Sequence, residues 1–328
     1  MTQIISLFQA AVVFGTVILF GAVGEILTEK AGNLNLGVPG IMYLGGIASL
    51  IGVFFYEMNN PNPIPAVCLL IALVCALVAA AIGGLIFSFL TITLRTNQNV
   101  TGLALNIFAG GFANFFGGSL NKLAGGVGQI SVATTSAAVR KTIMGSNNWA
   151  GPFDDMLLSY GFMVYLAIIC AIGIKWFINR TSIGLNLRAV GENPATADAA
   201  GINVTKYKYL ATCIGGAISG LGGLYYVMDY MKGTWDSAGA IEGLGWLALA
   251  LVIFASWKPL RAIWGAYLFG ALSWAYFYIP GLTRRSMELF KMLPYVATLI
   301  VLVVVAMQRS RENQPPAGLG LPYFREER

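Results

Sequence analysis

The sequence predicts an all-α fold, a polytopic integral membrane helical bundle of about nine spans, some of them broken or re-entrant. Three observations predict it. Of 328 residues, 57% are hydrophobic and only 10% charged, against roughly 25% charged in soluble domains. The apolar residues fall in uncharged runs about 20 residues long, the length that crosses a bilayer as a helix. Glycine and proline interrupt several of these runs near their ends. A soluble fold is thereby excluded, and residues 1–308 are expected to form one transmembrane domain, followed by a tail over 309–328.

Uncharged runs set the spans, because a charge at a helix centre costs about 2.5–3.5 kcal/mol on insertion scales. The first is Ile4 to Leu27. Met1-Thr2-Gln3 has no basic residue before it, so this run reads as a retained anchor and not as a secretory signal. The others are Ile41 to Tyr56, Ala66 to Leu94, Thr101 to Leu120, Leu157 to Ile178, Tyr209 to Met228, Leu244 to Trp257, Ala262 to Ile279 and Met292 to Gln308. The second, seventh and ninth are short, so broken or re-entrant segments are expected there. With the N-terminus outside and the C-terminus cytoplasmic, 13 of the 20 basic residues fall on the cytoplasmic side. They are Lys30, Arg95, Lys175, Arg180, Arg188, Lys206, Lys208, Lys258, Arg261, Arg309, Arg311, Arg325 and Arg328. Lys122, Arg140, Lys141, Lys232, Arg284, Arg285 and Lys291 lie on the other side, the last three as a cluster that runs against the rule.

Several functions are disfavoured by composition. Histidine is absent, and Cys68, Cys75, Cys170 and Cys213 sit in apolar runs without C-x-x-C spacing, so no metal site, disulfide framework or catalytic group is expected. The net charge of +6 orients the chain in the membrane; basic residues interleaved with aromatics, as nucleic acid would require, are not seen. An ion-coupled secondary transporter is the competing class, but it usually keeps ionisable residues within spans. Here the internal acid is Glu25, near a span end where its carboxylate can snorkel.

Polar and glycine-rich interruptions mark the candidate solute pathway. Gly32-Asn33-Leu34-Asn35-Leu36-Gly37-Val38-Pro39-Gly40 cannot continue a regular helix. Broken backbone at membrane depth survives where protein or a water-filled cavity satisfies it, which makes Asn33 and Asn35 pathway candidates; the plain alternative is a cytoplasmic turn. Asn106 lies early in the fourth span, where its carboxamide serves either a solute or helix-to-helix bonding. Trp246 is the aromatic candidate along the pathway. Gly216-Ala217-Ile218-Ser219-Gly220, with Gly222 and Gly223, reads as close helix packing. Lys122 to Met156 reads as an irregular external loop ending in Gly151-Pro152.

The segment 179–208 has a length usual for a loop with a task, the plain alternative being a tether. Within it Asn193 can cap a short helix with Pro194 in its first turn, and Gly201 can stop it. Ala195, Ala197, Ala199 and Ala200 make that helix small enough to enter another protein's groove.

This segment, Arg180-Thr181-x-x-Gly184, then Gly184-Leu185-Asn186, then Ala200-Gly201-Ile202-Asn203, resembles the cytoplasmic coupling segment of ABC-transporter permeases of the ribose-permease type. Four more stretches resemble the nucleoside-uptake branch of that family: Leu27 to Gly37, Gly102 to Asn106, Gly245 to Phe254, and the tail Leu319-Gly320-Leu321-Pro322-Tyr323-Phe324-Arg325-Glu326. The resemblance covers the whole chain. It departs at two places. Val38-Pro39-Gly40 stands where the family usually has leucine-glutamate-glycine, and Gly243-Leu244-Gly245 where relatives commonly have glycine-arginine-glycine.

The resemblance implies a permease subunit of an importer, with Glu192, Asn193, Pro194, Ala197, Ala200 and Gly201 coupling it to an ATPase. It implies a bacterial plasma membrane location and four kinds of partner: ABC ATPase subunits, a second permease in a heterodimer, an external substrate-binding lipoprotein, and a nucleoside or simple-sugar solute. No G-x-x-x-x-G-K-[ST] phosphate loop is present, so ATP and Mg are expected to be used by the partner, with no cofactor bound here.

Overall fold

The computed structural model describes residues 2–123, 130–142, 156, 158–235, 239–279, 284–308 and 313–324. Among them are thirteen α-helices and no strand, only two isolated bridges. They run in order as α1 Thr2–Lys30, α2 Val38–Asn59, α3 Pro65–Ser88, α4 Gln98–Leu123, α5 Ala133–Arg140, α6 Phe162–Arg180, α7 Ser182–Glu192, α8 Pro194–Ala199, α9 Val204–Tyr225, α10 Ala240–Phe254, α11 Pro259–Trp274, α12 Arg284–Lys291 and α13 Leu293–Gln308. Each of the nine expected spans overlaps a helix, the fifth only from Phe162 and the seventh only to Phe254. The segments containing α1, α2, α3, α4, α6 and α9 are long and apolar enough to cross a membrane; α10 and part of α13 are shorter apolar helices.

The second expected span is not broken. Proline is tolerated in a first helical turn, where its missing N–H is an orphan in any case. Pro39 therefore opens α2, which runs unbroken to Asn59. The seventh stays short, because Ser256 and Trp257 adopt left-handed φ of 51° and 55° and turn the chain into Pro259 of α11.

Helix α9 is the centre of the bundle and packs against α1, α2 and α3. Its small residues permit this, since a side chain where Gly223 stands would meet the Met42 carbonyl and one at Gly220 the Ala80 methyl. Helices α10 and α11 flank α1, and α4 lies along α2. On α3, Leu70, Val74, Val78, Ile82 and Leu85 form an exposed stripe at helical spacing, the surface that lipid covers.

Interhelical contacts sort the basic residues. Lys30, Arg95, Arg188, Lys206, Lys258 and Arg261 lie at the bundle end where α7, α8 and the tail are found. Lys232 lies at the other end, where the Val132 N–H donates to the Gly233 carbonyl at 3.0 Å. The loop segment with Gly151-Pro152, Leu157, Arg309 and Arg311 lie outside the described residues, as do Arg325, Glu326 and Arg328.

Candidate functional site

Local signals build the short helix pair at one end of the bundle. The Thr181 hydroxyl accepts from Gly184 N at 2.9 Å and starts α7. Asn193 Oδ1 accepts from Thr196 N at 3.1 Å and starts α8, with Pro194 in its first turn and Gly201, at φ +84°, after its last. Glu192, Asn193, Thr196, Ala199, Ala200 and Gly201 are exposed, whereas Pro194 is half-buried. Ala197 does not share the exposed face. It is buried against Val190 and Val204, with Tyr207 and Tyr323 around them, so a bulky residue there disturbs this chain before any partner.

The tail straps this end together. Gly318 N donates to Gly191 O at 2.9 Å, Gly320 N to Gly32 O at 3.2 Å, and Ala317 N to Glu192 Oε2 at 3.2 Å. Tyr323 donates its hydroxyl to Asp198 Oδ2 at 2.8 Å, and the Arg95 guanidinium lies 4.6 Å from the Phe324 ring centroid. Glycine is needed where these backbones meet. A methyl on Gly191 would come within 2.2 Å of the Lys30 carbonyl oxygen. Two cavities flank the junction. One, of about 590 Å³, is lined by Asn33, Arg95, Gln98, Asp198, Lys206 and Lys208. The other, of about 560 Å³, is lined by Lys30, Lys175, Arg188, Lys258 and Arg261 with one acid, Glu192. The tail residues that carry this strap were visible in the sequence only as a resemblance, since their contacts are non-local.

The segment after α1 is irregular, as expected, and its polar groups are largely engaged within the protein. Asn33 is buried and donates from Nδ2 to Lys208 O at 3.3 Å and Thr212 Oγ1 at 2.8 Å, while its Oδ1 is buried without a partner. Asn35 Oδ1 accepts from Gly37 N at 2.9 Å, and Asn35 N donates to Glu25 Oε1 at 3.1 Å. Glu25 therefore does not snorkel: it is 1% exposed and caps the broken segment. It is also not alone, since Glu29 is buried and accepts from the Trp257 indole N–H, and Asp229 lies at the end of the segment continuing α9. These acids escape a run-based reading because they sit just beyond the uncharged windows.

Asn106, about 12 Å along α4 at 1.5 Å per residue, donates from Nδ2 to Glu242 Oε1 at 3.1 Å. Its Oδ1 is buried without a partner. Glu242 stands in the first turn of α10 and is exposed, a residue the sequence reading missed because it precedes the apolar run. Trp246, one turn further, is half-buried and packs against the core. The structure thus joins Asn106 to α10 but gathers no common site from Asn33, Asn35, Asn106 and Trp246. The two departures from the family pattern are neighbours: a Cβ on Gly245 would lie 2.5 Å from Pro39 Cα. Among the described residues no group of three His, Cys, Asp or Glu side chains could hold a metal ion.

A family model for the permease component of branched-chain amino acid transport systems matches residues 6–302. A guanosine ABC transporter permease of Bacillus subtilis is 31% identical over 99% of both chains. A protein of Haloferax volcanii provisionally named as a glucose ABC transporter permease is 32% identical over 81% of this chain and 75% of its own. A nucleoside ABC transporter permease of Lactococcus lactis is 28% identical over 89% of each. No solved structure matches the chain significantly.

Proposed function

We infer the function from the premise that the chain belongs to the family of permease components of branched-chain amino acid transport systems. It is a membrane permease subunit of an ATP-binding-cassette importer, and its solute is a nucleoside. The observation that carries this reading is the end-to-end likeness to the guanosine permease, and the capped helix pair with the tail packed against it gives this chain an exposed element for a partner to move. The chain hydrolyses nothing. ATP and Mg are used by ATPase subunits that dock on the exposed face of α8, Asn193, Thr196 and Ala200 foremost, with Glu192 and Gly201 at its ends.

Closure of the ATPases displaces α8. Buried Ala197, the glycine junction and the tail pass that displacement to α1 and α2, and the bundle alternates between outward and inward openings. The protein pairs with a second, different permease and receives solute from an external binding lipoprotein at a bacterial plasma membrane. Its N-terminus is outside, and the end bearing α8 and the tail is cytoplasmic. Asn106 offers hydrogen bonds along the pathway, with Asn33 and Asn35 shaping the break beside it and Trp246 flanking it.

The test is reconstitution with receptor, ATPases and partner permease. ATPase activity is stimulated by a receptor loaded with guanosine, adenosine or uridine, and labelled nucleoside accumulates. The relative provisionally named for glucose favours a second reading, a simple-sugar permease. Stimulation by sugar with no response to any nucleoside would establish that reading instead.

A further inference from the structure

Helix α10 is a short apolar helix. Its 15 residues span about 22 Å, and the turn after it reaches Glu29 through the Trp257 indole at the end that carries the coupling helices. Beside its first turns lies a cavity of about 580 Å³, within the roughly 300–1,000 Å³ of small-molecule sites.

Three interruptions of regular helix meet there. The chain leaving α9 widens into a π-helical turn, Tyr226–Tyr230. The chain leaving α11 tightens into a 3₁₀ turn, Ala275–Tyr278. Gly239, at φ +81°, starts α10. Such interruptions forfeit regular backbone bonding, and π turns concentrate at functional sites.

The interruptions deliver rings. Tyr226, Tyr230, Trp274, Tyr276 and Phe277 line the cavity together with Phe14 of α1. Tyr230 joins them: its ring centroid is 5.3 Å from Tyr226, 6.2 Å from Phe14 and 6.4 Å from Trp274, and Trp274 lies 4.9 Å from Phe277. The Gly243 backbone forms part of the wall, and a Cβ there would meet nothing within 4 Å. Lys291 and Ser273 supply polar edges.

The groove between α2, α3 and α4 is the contrast. Its walls are Leu44, Ile51, Val74, Val78 and Ile82 with Phe108 and Phe112, a lining suited to lipid chains. Flat rings with hydroxyl edges suit a flat, polar-edged heterocycle, because every base has a π face. Resting on the nucleoside reading above, we propose that the aromatic cavity beside the start of α10 receives the nucleobase of the solute, which stacks on the Tyr230 and Trp274 wall.

The complete importer, reconstituted with its receptor, tests this. Tyr230→Leu and Trp274→Leu each lower initial adenosine uptake about tenfold, the scale of one lost base–aromatic contact. Tyr230→Phe, which keeps the ring, stays within about twofold, and Gly243→Leu, whose side chain has room to project into the cavity, lowers uptake as the ring losses do. In the unmodified complex, photoactivated 8-azidoadenosine labels peptides containing residues 226–230 or 274–278, and adenosine but not ribose protects them. That measurement decides independently of how any variant folds. Adenosine uptake that is unchanged in the leucine variants, or labelling confined to other peptides, overturns the cavity assignment while the nucleoside reading stands. An unmodified complex that takes up ribose and no nucleoside overturns both.

Discussion

The two ends of the bundle are built on opposite plans. At the end with α7 and α8, backbone meets backbone: Gly191 lies against Lys30 and Gly32, and the tail bonds both glycines through Gly318 and Gly320. Contacts of that kind leave no side chain to yield, the arrangement that the proposed coupling through α8 would require. At the start of α10, contact is made by rings spaced around open volume, and Gly243 has nothing near it. The same residue type closes a gap at one end and keeps one open at the other. The first plan fits the proposed coupling element and the second the proposed solute cavity.

The ends are linked where Gly245 packs on Pro39, and the largest effect is expected there. Pro39 is fully buried. Pro39→Glu alone places an unpaired carboxylate beside α10 and costs about 3–5 kcal/mol, the range for an uncompensated buried charge. Adding Leu244→Arg, one position before the Gly245 contact, brings an opposite charge near and is expected to recover part of that loss. Thermal melting of the two single variants and the double variant measures the coupling. Simple addition of the two losses would show that the positions are independent.

The next effect separates the glycines. Gly191→Ala forces a methyl onto the Lys30 carbonyl and destabilises the protein by about 3 kcal/mol, since backbone cannot move aside. Gly243→Ala is neutral or stabilises by up to about 1 kcal/mol, as expected for alanine in an uncrowded helix. Equal melting temperatures for the two variants would erase the contrast between a locked end and an open one.

Tryptophan substitutions divide the two faces of α8. Ala197→Trp overpacks the Val190 and Val204 cluster and lowers stability by about 2 kcal/mol. Ala200→Trp, on the exposed face, changes stability by less than about 0.5 kcal/mol yet lowers ATPase co-purification and transport sharply, because an indole cannot enter a groove shaped for a methyl. Wild-type transport by a normally assembled Ala200→Trp importer would remove α8 from the coupling role.

Features specified by neighbours in sequence were legible in it. Asn193, Pro194 and Gly201 bound α8 because cap, first-turn proline and left-handed glycine are local chemistry. The helices of the spans followed from apolar runs in the same way. Ala197 was not separable from Ala200, since composition cannot say which methyl faces inward. Asn33 and Asn35 read as pathway residues because a broken membrane segment needs polar partners; the partners proved to be Lys208, Thr212, Gly37 and Glu25. Distance along the chain hid the rest: Glu242 meets Asn106 across 136 positions, and Tyr323 meets Asp198 across 125.

The smallest expected effect falls on that last pair. Tyr323 lies in the tail and Asp198 on α8, so their 2.8 Å bond ties the strap directly to the proposed coupling helix. Tyr323→Phe deletes the hydroxyl but keeps the ring beside Ala197 and Val204, and one partly exposed hydrogen bond contributes about 1 kcal/mol. Melting therefore shifts little. The informative readout is the ratio of receptor-stimulated to unstimulated ATPase rate in the assembled importer, because a looser tail lets α8 move without carrying Gly32 and α2 along. The ratio is expected to fall about two- to fivefold, the factor that about 1 kcal/mol sets at room temperature. A ratio equal to wild type, with the small melting shift present, would confine the tail to stabilising this end and leave the α7 contact at Gly191 as the route from α8 into the bundle.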